Sequence, residues 1–192
     1  MEILRSNVDV RSDAYRANRE AFLQQIAYLN EQLALVRAGG GEKYVKRHLE
    51  RGKLMARERI ELLLDRDSPF LELSPLAAWG TDFGLGGGII SGIGVVSGVE
   101  CVITANEPTM KGGTLNPYSV LKSGRTMEIC AQNRLPIINL TESGGADLPF
   151  QRLVRAIGET CTGDSTERAA TALTPDGKDA SSRVVAKAKG RR

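Results

Sequence analysis

The sequence predicts an α/β fold, and three observations carry that prediction. The first third has helical periodicity, and after Trp79 glycines and β-branched residues take over. Two strongly apolar runs, 100–105 and 136–141, flank a helical segment, and each ends in a glycine-containing loop. Strand, helix and strand in that order make a βαβ unit with parallel pairing.

The elements follow in chain order. Over residues 12–38, Phe22, Ile26, Leu29, Leu33 and Val36 recur at helical spacing. Ser12 or Asp13 can cap the start of this helix, and Gly39-Gly40-Gly41 ends it. Its stripe is one seam wide, which suits packing on a partner helix or a domain flank. A second helix is expected from Glu42 to about Glu50, with Lys43, Lys46, Arg47 and Glu50 outward and Gly52 as its breaker. A third covers Ala56 to Asp65, with Ile60, Leu63 and Leu64 inward. Phe70–Leu73 reads as a short extended piece after the Ser68-Pro69 turn. Eight glycines between Gly80 and Gly98, interleaved with Ile89, Ile90, Ile93, Val95 and Val96, read as a glycine-punctuated hairpin leading into the strand at 100–105. Leu115–Asn133 reads as a turn and a helix, with Val120, Leu121, Met127 and Ile129 as its apolar positions.

Charge separates the body from the tail. Residues 1–151 hold 17 Lys+Arg and 18 Asp+Glu, whereas residues 152–192 hold 9 and 5. The tail has no Phe, Trp or Tyr and ends in Lys187-Ala188-Lys189-Gly190-Arg191-Arg192. Such a segment cannot bury enough apolar surface to offset its ordering entropy, so a low-order basic tail is expected. A nucleic-acid-binding arm is the sharper alternative, but the tail has neither an aromatic to stack on a base nor a compact basic run. The expected division is a helical segment over 1–66, an α/β core over 67–151 and the tail over 152–192. No run of 18 apolar residues occurs, which excludes a membrane-spanning helix. The first residues lack a signal-peptide core, and Cys101, Cys130 and Cys161 make neither a CxxC pair nor an even framework. A reducing cytoplasm is the expected compartment, with no metal site.

Several chemistries are excluded by residue type. The chain has a single histidine, His48, on a charged helix, where it is expected at the surface. Ser143 ends a strand without the GxSxG elbow of a serine nucleophile. Gly92-Ile93-Gly94 precedes another strand, so a dinucleotide phosphate would find no helix N-terminus there. Backbone chemistry remains. In Ser143-Gly144-Gly145-Ala146, paired glycines can let amides face a cleft and hold an oxygen that turns negative in a transition state. One such donor is typically worth roughly 3–4 kcal/mol. From spacing alone, a tight strand-to-helix turn is the favoured reading of the pattern. Lys111 in the loop 106–114 can meet a phosphate or an acyl oxygen, or can be a solvated loop lysine. The ends of adjacent parallel strands are where α/β sheets bind ligands.

Several ordered motifs then resemble one family. The run from Gly52 to Asp65 with Ser68–Leu73 is similar to the N-terminal region of carboxyltransferase (β) subunits of biotin-dependent acyl-CoA carboxylases. Gly86-Gly87-Gly88-Ile89, Gly92-Ile93-Gly94, Val99–Ile103, Lys111-Gly112-Gly113-Thr114 and Ser143-Gly144-Gly145-Ala146 with Leu148-Pro149 and Gln151 resemble it too. The nearest branch resembles methylcrotonyl- or geranyl-CoA carboxylases, with propionyl-CoA types next.

The resemblance implies a partial crotonase-like (ClpP/crotonase) carboxyltransferase N-terminal domain preceded by helices. It implies transfer of CO2 from carboxybiotin to the α (or vinylogous γ) carbon of an acyl-CoA. Gly144 and Gly145 would be the oxyanion donors, and Lys111, Gly112, Gly113 and Ala146 would lie along the CoA. Biotin would arrive on a partner biotin carboxylase/biotin carrier (α) subunit, and the family implies a homo-oligomer. Residues 115–119 differ from the aromatic-rich form of methylcrotonyl types. The resemblance stops at Gln151, and family members run to more than twice this length. A truncated chain that is inactive alone is therefore the expectation, with a non-catalytic module that docks on intact subunits as the alternative.

Overall fold

A computed structural model describes Ser6 and residues 8–152. The expected low-order tail from Arg152 onward, and Cys161 within it, lie outside the described residues apart from Arg152 itself.

Three helices come first. α1 spans Asp13–Arg37, and the Ser12 hydroxyl caps it by accepting from the Tyr15 amide. No residue of α1 is buried. Phe22, Ile26 and Leu29 of the expected stripe are exposed, and only Leu33 and Val36, near the cleft described below, are half-buried. α2 spans Glu42–Glu50 and α3 spans Ala56–Leu63. Glu58 closes the start of α3 by accepting from the Met55 amide.

The sheet has four strands in chain order: β1 (Leu71–Glu72), β2 (Ile89–Val96), β3 (Val99–Asn106) and β4 (Ile137–Leu140). β1–β2 and β2–β3 are antiparallel. The Ser97-Gly98 turn joins β2 to β3, and the Asp65 carboxylate accepts from both turn amides at 2.9 and 2.7 Å. β3 and β4 are parallel across α4 (Pro117–Asn133), as the βαβ reading expects.

Strand alternation gives the two faces different chemistry. Ile90, Val96, Cys101, Ile103 and Ala105 form the apolar core with Ala56 and Ile60 of α3, and Leu63, Leu64, Phe70, Ile138 and Leu140 pack against it. Burying a side chain such as Ile60 or Ile103 contributes about 2–3 kcal/mol. β1 and α3 approach β2 closely because Gly92 and Gly94 carry no side chain. A Cβ on Gly92 would overlap the Phe70 ring, and one on Gly94 would overlap the Leu64 methyl. Arg57 on α3 forks onto the Glu72 carboxylate at 2.5 and 2.9 Å, fixing β1.

The opposite face lies under α4 and mixes apolar residues such as Val102 and Ile89 with polar ones. Thr126 bonds Ser91 at 3.1 Å, and Thr104 bonds Asn139 at 2.6 Å. The buried stripe of α4 is Ser119, Lys122, Thr126 and Cys130, whereas Leu121 is exposed and Val120, Met127 and Ile129 are half-buried. The apolar positions on α4 are therefore not its innermost ones.

His48 corrects another expectation. It is 8% exposed, and its Nε2 lies 3.0 Å from the Leu54 carbonyl. A carbonyl can only accept, so Nε2 carries the proton in this bond. The ring fastens α2 to the segment leading into α3.

Candidate functional site

The two glycine loops meet at the carboxyl ends of β3 and β4. Leaving β3, the chain makes a tight turn at Lys111–Gly113 in which all three residues have left-handed φ (47°, 67° and 70°). Leaving β4, it runs through Glu142–Asp147. Main-chain bonds join the loops: Gly144 N–H donates to Gly112 O (2.9 Å), Leu115 N–H to Gly145 O (2.7 Å) and Asp147 N–H to Leu115 O (2.8 Å). Leu115 and Ala146 thus form a parallel bridge beyond the sheet.

Side chains reinforce this seam. Buried Asn106, the last residue of β3, donates from Nδ2 to Gly113 O (3.2 Å) and accepts at Oδ1 from the Glu142 amide (3.4 Å). Lys111 Nζ donates to Asp147 Oδ2 at 2.9 Å. Glu142 pairs with Lys53 (2.5 Å) and Arg59 (3.5 Å), which tie the loop back to α3 and the segment before it. The hydrogen bond from Lys53, with the positive charges around it, holds the Glu142 carboxyl below the usual carboxylate range despite partial burial.

A cleft of about 400 Å3 opens beside the Lys111 turn. Lys111, Gly112 and Thr114 line it, together with Asp82–Leu85 and Gly88. Leu35 of α1, Gly39 and Gly40 just after it, and Tyr44 of α2 line it too. Gly40 is anchored there by donating to Thr109 Oγ1 at 2.9 Å, and Thr109 Oγ1 donates in turn to buried Glu107 at 2.5 Å. Phe83, beside the cleft, contacts the Tyr118 and Phe150 rings at centroid distances of 5.2 and 5.0 Å. A second cavity of about 230 Å3 lies between α4 and the β3–β4 pair, lined by Thr104, Asn139, Thr126, Thr141 and Ser143 among others.

The six residues singled out from sequence are therefore brought together, in unequal roles. Lys111 and Gly112 line the cleft. Gly113 is buried under the seam, where a Cβ would overlap the Glu142 carbonyl oxygen. Ala146 sits in the bridge to Leu115. Gly144 and Gly145 are exposed, and neither lines the 400 Å3 cleft. The Gly144 amide is committed to Gly112 O, and the Gly145 amide donates to Ser143 Oγ at 3.1 Å. The expectation of two bare amides facing a cleft is corrected on this point: one is spent on a main-chain bond and the other on an exposed hydroxyl.

Asn106, Asp147, Glu142 and Thr109 were missed in the sequence because each acts by holding a loop, and nothing in spacing marks a loop-holding polar residue. Position alone was available as a signal, since Asn106 and Glu142 are the polar residues at the ends of apolar strands. Among the described residues no cluster of His, Cys, Asp and Glu could hold a metal ion, and no helix is long and apolar enough to cross a membrane.

Both the sequence and the fold are similar to those of known proteins. Residues 47–162 match the carboxyl transferase domain model. The chain is 49% identical over 171 residues to a probable biotin-dependent acyl-coenzyme A carboxylase beta2 subunit of Mycobacterium tuberculosis, covering 89% of this chain and 32% of that protein. It is 47% identical to a probable mitochondrial methylcrotonoyl-CoA carboxylase beta chain of Drosophila melanogaster, covering 78% and 26%. The fold is similar to the beta subunit of geranyl-CoA carboxylase from P. aeruginosa, with a TM-score of 0.75 at 38% identity, covering 83% of this chain and 30% of that one. The chain thus spans about a third or less of the length of these relatives. On the domain match, the identity and the shared fold, it belongs to the carboxyl transferase domain family, alongside the beta subunits of acyl-CoA carboxylases.

Proposed function

We propose that this chain carries the acyl-CoA half of a carboxyltransferase site. The observation that carries the reading is the seam itself: two strand-end loops locked together by backbone bonds beside a 400 Å3 cleft. An acyl-CoA bound there would lie along Lys111 and Gly112, with Gly113 and Ala146 supporting that side of the cleft from within the seam. Lys111 has most of its side chain in solvent, so its ammonium can turn from Asp147 towards a phosphate.

The proposed reaction replaces the proton on the carbon next to the thioester with a carboxyl group. Carboxybiotin, brought by a partner carrier subunit, supplies that group. The biotin ureido nitrogen freed as the CO2 leaves would take up that proton, and the enolate so formed needs a donor at its oxygen. The Gly145 amide suits this role because its present acceptor, Ser143 Oγ, is an exposed hydroxyl that can rotate away. In this reading the enolate oxygen would take the place of that hydroxyl oxygen on the Gly145 amide. The Gly144 amide holds the loop instead, since releasing it would break the bond to Gly112 O.

The test is calorimetric titration of the full chain with free CoA and with propionyl-, 3-methylcrotonyl- and geranyl-CoA. Binding of thioesters, weakened in Lys111→Glu, is expected. Absence of binding by every CoA compound overturns the reading. A parallel assay with free carboxybiotin is expected to give no sustained carboxylation by the chain alone. A second reading is favoured by one observation: Phe22, Ile26 and Leu29 on α1 are exposed together. In that reading the chain docks through α1 on intact carboxylase subunits without catalysis. Co-purification with a full-length relative, lost in Phe22→Glu/Ile26→Glu, would support it.

A further inference from the structure

Lys122 points inward from α4 with 5% of its surface exposed. Its Nζ donates to two carbonyl oxygens, Ile89 at 2.7 Å and Gly86 at 3.2 Å, and neither partner is a carboxylate. Burying an ammonium costs several kcal/mol, and a methionine of similar length would fill the same space without that cost. The charge therefore has to be explained by what it holds.

What it holds is unusual backbone. Gly86, Gly87 and Gly88 have φ of 87°, 70° and 73°, three successive residues in the left-handed region. A left-handed run of L-residues would cost roughly 1–2 kcal/mol per position, so glycine is required. Glycine also leaves the run free to take other courses, so this one must be imposed from outside. All its carbonyls are pinned. Gly87 O accepts from Asn116 Nδ2 (3.0 Å) and Gly88 O from the Glu107 amide (3.0 Å), while Lys122 takes Gly86 O and, one residue past the run, Ile89 O. Of the run, Gly88 lines the cleft, as do Gly84 and Leu85 just before it, together with Lys111 and Gly112.

We infer that Lys122 is a positioning residue for the cleft, its ammonium fixing the Gly86–Gly88 run in the left-handed course that brings Gly88 to the cleft lining. The ligand in this inference rests on the acyl-CoA reading above; the geometry does not. The charged groups facing Lys122 are Glu72 of β1, Arg57 of α3 and Glu107 beyond β3. Arg57 and Glu72 are already paired with each other, and Glu107 accepts from the Thr109 amide and hydroxyl. Burial lowers the Lys122 ammonium to about 8, with Glu72 raising it and Arg57 lowering it. The clamp thus loses its charge within an accessible pH range.

The experiment uses the full chain. Amide resonances of Gly86–Gly88 are followed from pH 7 to 9.5, and propionyl-CoA affinity is measured over the same range. Wild type is expected to show these resonances titrating near pH 8, with affinity falling above it. Lys122→Met is expected to shift them at all pH values, abolish the titration and weaken propionyl-CoA at least tenfold. Cys130→Ala, on the same buried stripe but bonded to the Leu135 carbonyl, is expected to lower Tm while leaving the glycine resonances and affinity unchanged. If Lys122→Met does not fold, the wild-type titration decides alone. Glycine resonances indifferent to pH across the range overturn the inference, as does wild-type affinity in a folded Lys122→Met. A wild type that binds no CoA ester, but whose glycine run titrates, defeats the acyl-CoA reading and leaves the hold of Lys122 on the run in place.

Discussion

Adding one methyl group to Gly112 or to Gly113 gives a paired test of the seam. Both glycines have left-handed φ, 67° and 70°, so alanine at either position incurs the same backbone penalty of about 1 kcal/mol. Their surroundings differ completely. A Cβ on Gly112 meets nothing within 4 Å, whereas one on Gly113 overlaps the Glu142 carbonyl oxygen and lies 3.2 Å from the Asn106 Cβ. Neither neighbour can yield easily. The Glu142 carbonyl is main chain, and Asn106 bonds both loops. Relief requires the loops to part, which puts at risk Gly144 N–H to Gly112 O, Leu115 N–H to Gly145 O, Asp147 N–H to Leu115 O and the Asn106 bonds. At about 1 kcal/mol net for each bond, loss of two to four adds about 2–4 kcal/mol. Gly113→Ala should therefore destabilise by about 3–5 kcal/mol and Gly112→Ala by about 1. Urea titration followed by circular dichroism measures both. Hydrogen exchange should show Leu115 and Asp147 amides exposed only in Gly113→Ala. Equal destabilisation by the two substitutions would refute the seam as the element that fixes these loops.

Other perturbations probe the scaffold. Lys122 has its folded pKa lowered to about 8 from an ordinary 10.5, so between these values the unfolded chain binds more protons and stability rises with pH. The full change is about 3 kcal/mol and should vanish in Lys122→Met. Cys101, raised by burial to about 11, opposes this slope above pH 9, so the comparison is read as wild type minus variant. Glu142 has its pKa lowered, so its ion pairs with Lys53 and Arg59 stabilise above the ordinary carboxylate range and are lost as pH falls through the folded value. Acid unfolding of Glu142→Gln should show a shallower slope in that window. Asp65→Ala removes the acceptor for Ser97 and Gly98 amides and should cost about 2 kcal/mol, with faster exchange at those two amides.

Much of the architecture was legible because periodicity and punctuation are local. The bounds of α1 follow from Ser12 and Gly39, and those of β2 and β3 from β-branched residues on either side of Ser97-Gly98. The buried stripe of α4 was not legible. Ser119, Lys122 and Thr126 have the spacing of an inner face but the chemistry of an outer one, and they point inward because the sheet face beneath them carries Ser91, Thr104 and the glycine-run carbonyls. His48 misled for a related reason, since its partner is a main-chain carbonyl that no sequence pattern marks. At the site, the glycine loops were visible as composition. That they bond to each other, and so occupy the Gly144 amide, is a long-range fact that neither loop contains by itself.

Asn106 contacts the joint from below, but the joint proper consists of amides and carbonyls that every residue type except proline provides. Side chains along it at Thr114, Leu115, Ser143 and Ala146 can therefore be exchanged without dismantling the frame. On the proposed acyl-CoA reading, acyl-group preference would then be free to drift from one homologue to another while the backbone joint stays constant.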